Sequence, residues 1–142
     1  MKINIQPNTI VVTGGLGFIG SRFIKYVYDN TPHTVINVDK DTYAGDHDRI
    51  PLGIRNDEER YRYLKADICN SIIDYKDIHN ADYVVNFAAE SHVDNSIADG
   101  KPFINTNVMG VYNLLEQFKG APNLRRFVQI STDEVYGDMA DY

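Results

Sequence analysis

Two adjacent carboxylic acids, Asp133 and Glu134, directly follow a hydroxyl residue, Thr132, in the run STDEVYG at residues 131–137. The pair stands just beyond a short apolar stretch. It could supply an acid and a base that work on adjacent carbons of one substrate. Such work needs one carboxyl protonated and the other ionised, and like-charge repulsion helps to separate their pKa values. A solvated acidic loop that caps a helix explains the same residues equally well, so the acids alone leave both readings open.

A second group lies near the N-terminus. Gly14, Gly17 and Gly20 are spaced G-x-x-G-x-x-G within TGGLGFIG at residues 13–20. The first glycine permits a tight turn with positive φ. The second lets backbone N–H groups reach a diphosphate, and the third lets a helix pack close to a strand. The positive end of that helix dipole then faces the anion. Asp39, nineteen residues beyond Gly20, closes an apolar run. An acid there accepts hydrogen bonds from ribose hydroxyls and repels a 2′-phosphate, which points to NAD rather than NADP. Lys40 follows at once and could tolerate such a phosphate.

Further on, Asp67 could accept from the exocyclic amine of adenine while Ile68 covers a ring face. It could equally be an ordinary acid ahead of a helix capped by Ser71. Asn86, Phe87, Ala88, Ala89, Glu90, Ser91 and His92 leave another apolar run with small side chains that allow close approach of a flat ligand. His92 reads as a substrate contact or a hydrogen-bonded structural residue before it reads as a catalytic one. The four histidines, His33, His47, His79 and His92, have no metal-ligand spacing, so no metal is assigned.

These groups need elements to hold them. Apolar, β-branched runs at residues 9–13, 34–38, 61–66, 83–87 and 127–130 read as strands. Helical periodicity appears at residues 18–29 and from about 102 to 119, where Gly120 and Pro122 end it. A short helix over residues 71–79, with Ser71 as cap and Asp74 in the cap-box position, is expected. Residues 40–57 read as a long loop. Strands alternating with helices imply an α/β fold, a Rossmann-type doubly wound parallel sheet whose ligand site lies at the carboxyl ends of the strands.

The 142 residues fit one domain. A 43% apolar and 24% charged composition suits a globular core that needs no staples. Cys69 is the single cysteine, which excludes an intrachain disulfide and suits a reducing compartment. A net charge of −6 argues against nucleic-acid or anionic-membrane partners. The absence of an apolar membrane-length run, and of an apolar leader in residues 1–6, leads to the expectation of a cytoplasmic protein.

With these residues assembled, the chain resembles the N-terminal part of the dTDP-glucose 4,6-dehydratase family, in the extended short-chain dehydrogenase/reductase superfamily. The carriers are TGGLGFIG, DKDTYAG at residues 39–45, ADI at 66–68, AAESHVDNSI at 88–97, TNVMGVYNLLE at 106–116 and STDEVYG. The resemblance implies an NAD cofactor, a nucleotide-sugar substrate, a separate substrate domain and a homodimer. In the family scheme the C4 position of the glucose is oxidised, water leaves across C5 and C6, and hydride returns to C6. Glu134 would take the C5 proton, Asp133 would protonate the departing C6 hydroxyl, and Thr132 would bond the reacting O4. Cofactor contacts carried over to this chain are Phe18, Ile19, Asp39, Lys40, Asp41, Thr42, Asp67, Ile68, Phe87, Ala88, Ala89, Glu90, Ser91 and Thr106, with Ser91 and His92 as candidate substrate contacts. The family commonly has Leu where Asp41 stands and Arg where Asn95 stands.

The Tyr-x-x-x-Lys element that the resemblance places after Gly137 does not occur in residues 138–142. The chain is therefore expected to be an incomplete NAD-binding domain over residues 1–142, truncated after about the fifth strand and inactive alone. Phe127, Val128 or Ile130 would be poorly covered. A UDP-glucose 4,6-dehydratase, another nucleotide-sugar enzyme, and a non-catalytic nucleotide-binding module are the alternatives.

Overall fold

A computed structural model describes residues 6–137, apart from the side chains of Lys76 and Glu134. Residues 1–5, read above for a leader, and the Glu134 carboxyl therefore lie outside what is described. Five strands, β1 (Thr9–Thr13), β2 (Thr34–Asp39), β3 (Tyr61–Lys65), β4 (Tyr83–Asn86) and β5 (Arg126–Gln129), form one parallel sheet in the order β3-β2-β1-β4-β5. The order reverses between β1 and β4, the expected doubly wound arrangement.

Side chains alternate across the sheet, so each strand feeds two cores. Ile10, Val12, Val35 and Val85 pack beneath α1 (Phe18–Asn30), which contributes Ile24 and Val27. Val11, Ile36, Val38 and Val84 pack on the opposite face against Leu114 and Phe118 of α6 (Val111–Phe118). Each fully buried aliphatic chain contributes about 1.5–3 kcal/mol relative to exposure. Sheet burial fades toward β5. Phe127 is half-buried against the second core, but Val128 and Ile130 are 36% and 38% exposed, the thin cover expected from the sequence.

The connections differ from expectation in three places. Residues 40–57 contain a 3-10 turn, His47–Arg49, and a short helix, α2 (Leu52–Arg55). The helix expected over residues 71–79 shrinks to α3 (Lys76–His79), and its cap is Tyr75 rather than Ser71. The N–H groups of Ile72 and Ile73 both donate to Oε1 of Gln117, at 2.6 and 3.2 Å. Those donors are spent on a tertiary partner, so a first helical turn does not form there. A further helix, α4 (Val93–Ala98), was not expected. It is six residues long and buries none of them, so Val93 and Ile97 alone make too short a pattern to read as a helix.

The long helix near the C-terminal end is also less regular than its sequence pattern. It runs as α5 (Lys101–Ile104), a π-helical segment Asn105–Gly110, and α6. A Cβ at Gly110 would lie 2.7 Å from Cδ1 of Ile68. The widened turn and the missing side chain together bring this helix against the segment that follows β3. Among the described residues no helix is long and apolar enough to cross a membrane.

Candidate functional site

The glycine turn forms where β1 ends. The Gly14 N–H donates to the carbonyl of Val38 at 2.9 Å, which ties the turn to the end of β2. Gly14 has φ +71°, and a Cβ there would fall 2.5 Å from the nitrogen and 2.7 Å from the Cα of Ala88. The turn thus leans directly on the chain leaving β4, and a side chain would push the two apart. Gly20 is needed for the same kind of contact, since its Cβ would strike the Gly14 carbonyl. Gly17 caps α1 with no side-chain hydrogen bond, and the first turn holds no acid. The positive end of the helix is therefore open to an anion.

An open cleft runs across this edge of the sheet. Its walls include Gly14, Gly17, Asp39, Lys40, Thr42, Asp67, Ile68, Phe87, Ala88, Ala89, Glu90 and Thr106. The remaining cofactor candidates are not among the residues that line it. Phe18 and Ile19 are 70% and 61% exposed on the first turn of α1, and Ser91 is exposed beyond Glu90. Asp41, in the left-handed region at φ 59°, turns its carboxylate to His47 and Lys65 instead. Val38, Ala44, Gly45 and Ala66 also line the cleft; Ala44, Gly45 and Ala66 stand in the motifs that carry the resemblance, which assigns them no role of their own. They are small or backbone-presenting, and their type alone assigns no contact.

Asp39 organises the near wall. Its Oδ2 accepts from the Leu16 N–H at 2.9 Å and its Oδ1 from the Asp41 N–H at 2.8 Å. Each oxygen keeps a lone pair for a further donor. Arg49 fastens the loop above it by donating from Nη1 to the carbonyls of Leu16 and Ala44, at 2.9 and 2.7 Å. Across the cleft, Lys40 Nζ meets Asp67 Oδ2 at 2.7 Å, while the other Asp67 oxygen accepts the Cys69 N–H at 2.9 Å. Burial pushes the Asp67 carboxyl up, but these two partners outweigh it and hold it below the usual carboxylate range. The same bond raises the Lys40 ammonium above its ordinary value. Lys40 is thereby committed to a carboxylate, not left as a free cation.

The far wall is the segment after β4. The Asn86 side chain is buried and accepts from the Thr13 hydroxyl and, at 3.1 Å, from the Ala88 N–H. Asn107 clasps the next turn from both sides. Its Oδ1 accepts the Glu90 N–H at 2.9 Å and its Nδ2 donates to the Glu90 carbonyl at 2.8 Å. Tyr43 reaches over from the loop after β2, and its hydroxyl donates to Glu90 Oε2 at 3.3 Å. His92 is exposed ahead of α4. Thr132 and Asp133 are exposed in the stretch after β5, beyond an Ile130 N–H that donates to the Asn86 carbonyl at 3.0 Å. They share the sheet edge with the cleft and are not among the residues that line it.

The family model described as GDP-mannose 4,6 dehydratase matches residues 11–142. The chain belongs to this family. Among curated relatives, the Low-salt glycan biosynthesis protein Agl12 of Haloferax volcanii is 45% identical, over 93% of this chain and 42% of its own length. The dTDP-glucose 4,6-dehydratase 1 of Escherichia coli K12 is 46% identical, over 92% of this chain and 38% of its own. A crystal structure of dTDP-glucose 4,6-dehydratase from Bacillus anthracis in complex with NAD superposes with a TM-score of 0.77 at 38% identity. It covers 95% of this chain and 41% of that one. The GDP-mannose 4,6 dehydratase family member described here thus spans about two fifths of the length of the relatives it matches.

Proposed function

We propose that this chain is the nucleotide-binding part of an NAD-dependent dehydratase that converts dTDP-glucose to its 4-keto-6-deoxy product. The observation that carries the reading is the Gly14 turn pressed against Ala88 at the point of strand-order reversal, with Asp39 ending the neighbouring strand. That cradle suits a dinucleotide: uncapped helix N–H groups for the diphosphate, an acid with spare lone pairs for ribose hydroxyls, and Asp67 with Ile68 for the adenine. The relatives crystallised with NAD support the same cofactor. Bound there, NAD supplies the hydride acceptor for C4 oxidation and the donor that later reduces C6.

The chain's own residues carry the rest. Gly14 and Gly17 keep the diphosphate close to the backbone. Thr132 hydrogen-bonds the sugar O4. Glu134 removes the C5 proton, which an adjacent 4-ketone acidifies, and Asp133 gives a proton to the departing C6 hydroxyl. Ser91 and His92 contact the nucleotide sugar. The rest of the protein contributes the substrate domain and the Tyr-x-x-x-Lys base. The exposed Val108 and Met109 of the Asn105–Gly110 segment and Tyr112 and Leu115 of α6 support pairing with a second copy. The complete protein works in the cytoplasm as a homodimer.

The test is turnover of dTDP-glucose by the full-length protein and by its Asp133→Asn and Glu134→Gln variants, followed by the absorbance of the keto-sugar in alkali. Both variants should lose at least about a hundredfold in kcat, the usual contribution of a general acid or base. Unchanged turnover would remove the two acids from the reaction.

A further inference from the structure

Three amide side chains on the Asn105–Gly110 segment and α6 reach the backbone of both loops that wall the cleft. Asn107 clasps the Glu90 backbone after β4 through paired bonds of 2.9 and 2.8 Å. One turn and a half further on, Asn113 Nδ2 donates to the carbonyls of Ile68 and Asn70, at 2.6 and 2.9 Å. Gln117 then accepts from the N–H groups of Ile72 and Ile73 and donates to the carbonyl of Asn70 at 3.1 Å. All of these bonds end on backbone, so they fix where two loops lie and do not depend on the side chains those loops present. The π-helical turn makes the arrangement geometrically consistent. It brings Gly110 against Ile68 while keeping Thr106 on the cleft and Asn107 on Glu90.

We infer that Asn107 and Asn113 are positioning residues that set the cleft's two halves separately, Asn107 the nicotinamide half and Asn113 the adenosine half. This rests on the dinucleotide reading given above. In a doubly wound sheet the ligand lies across the reversal point, with one mononucleotide on each side. The loop after β3, held by Asn113, then serves the adenosine side, and the loop after β4, held by Asn107, serves the other. Neither residue lines the cleft, so each acts through the backbone it holds.

Calorimetric titration of NAD and of ADP into the full-length protein separates the two roles, because ADP lacks the nicotinamide riboside. Asn107→Ala should weaken NAD about fivefold to tenfold, the worth of one or two lost hydrogen bonds, and leave ADP within about twofold. Asn113→Ala should weaken both ligands by a similar factor. Asn107→Ser serves as a second variant, with the NAD-to-ADP affinity ratio as its readout, should the alanine protein fail to fold. An Asn107 variant that loses NAD and ADP in parallel, or neither, would overturn the positioning role while wild-type binding still upholds the dinucleotide reading. Wild-type protein that binds neither ligand would overturn both.

Discussion

The hydroxyl of Thr13 donates to the side-chain oxygen of Asn86, which joins the last residues of β1 and β4 at the point where strand order reverses. The same Asn86 oxygen accepts the Ala88 N–H, and its Nδ2 donates to Gln129 Oε1 at 2.7 Å on β5. Both Thr13 and Asn86 are fully buried. Asn86→Leu would leave the buried Thr13 hydroxyl and the half-buried Ala88 N–H without their acceptor. The expected loss is about 1–3 kcal/mol, chiefly from the one buried hydroxyl left unsatisfied. Urea unfolding followed by circular dichroism measures it, and a loss below about 1 kcal/mol would show that the ends of the strands hold together without this bond.

Two glycines make opposite predictions for the same substitution. Gly14→Ala places a methyl within 2.7 Å of Ala88 Cα on a backbone at φ +71°. Strain and overpacking together should cost about 2–4 kcal/mol and abolish nucleotide binding. Gly53 lies in α2, and a Cβ there meets nothing within 4 Å. Gly53→Ala should stabilise by about 0.5–1 kcal/mol through the unfolded chain alone. The pair of melting temperatures tests whether the glycine turn is constrained by its neighbours rather than by composition.

The parts of this molecule that were legible in its sequence are those determined locally. Val11 and Val12 alternate between the two cores because β1 is buried on both faces, which is what a short unbroken β-branched run signals. Gly14 and Asp39 reached the cleft because the glycine turn and the acid at the end of β2 are fixed by the chain's own geometry. The Ser71 cap failed for the opposite reason. Ile72 and Ile73 give their N–H groups to Gln117, more than forty residues away, and no local pattern records such a partner. Asn107 was hidden in the same way, since its worth lies in the Glu90 backbone across a loop. The available signal was only that amide side chains, Asn107, Asn113 and Gln117, recur on a helix that also carries an apolar stripe. Asp41 shows a third limit: the family resemblance, not its own chemistry, put it among the cofactor contacts, and its left-handed backbone turns the carboxylate toward His47 and Lys65.

The Lys40–Asp67 pair should matter for binding and little for stability. Lys40 is more than half exposed and Asp67 about one fifth exposed, so solvent screens the attraction. Asp67→Asn keeps an oxygen for the Cys69 N–H and a similar shape. The expected change in stability is under about 1 kcal/mol. Affinity for NAD should fall roughly tenfold, since the acceptor offered to the adenine amine is lost and Lys40 is released into the cleft. Chemical unfolding and calorimetry on the same preparation separate the two effects. An equal loss of stability and affinity would mean that the pair is structural.

His33 supplies a pH dependence at the opposite end of the sheet. Its Nδ1 accepts the N–H of Asn8 at 3.1 Å, next to the start of β2, which requires that nitrogen to be unprotonated. Burial lowers the pKa of the imidazole below its ordinary 6.5, and the nearby Arg60 guanidinium lowers it further, while Asp82 opposes them. A group whose folded pKa is depressed stabilises the fold fully above the unfolded value, and that contribution is lost as pH falls through the folded value. Stability should therefore decline from about pH 6.5 downward, before the carboxylates titrate. His33→Asn keeps an acceptor in the place of Nδ1 and carries no titrating proton, so it should flatten this part of the profile and leave stability at pH 8 nearly unchanged. Urea midpoints at half-unit pH steps from 8 to 5, as approximate bounds on the window, decide the matter. Parallel profiles for the two proteins would show that His33 has no part in the decline.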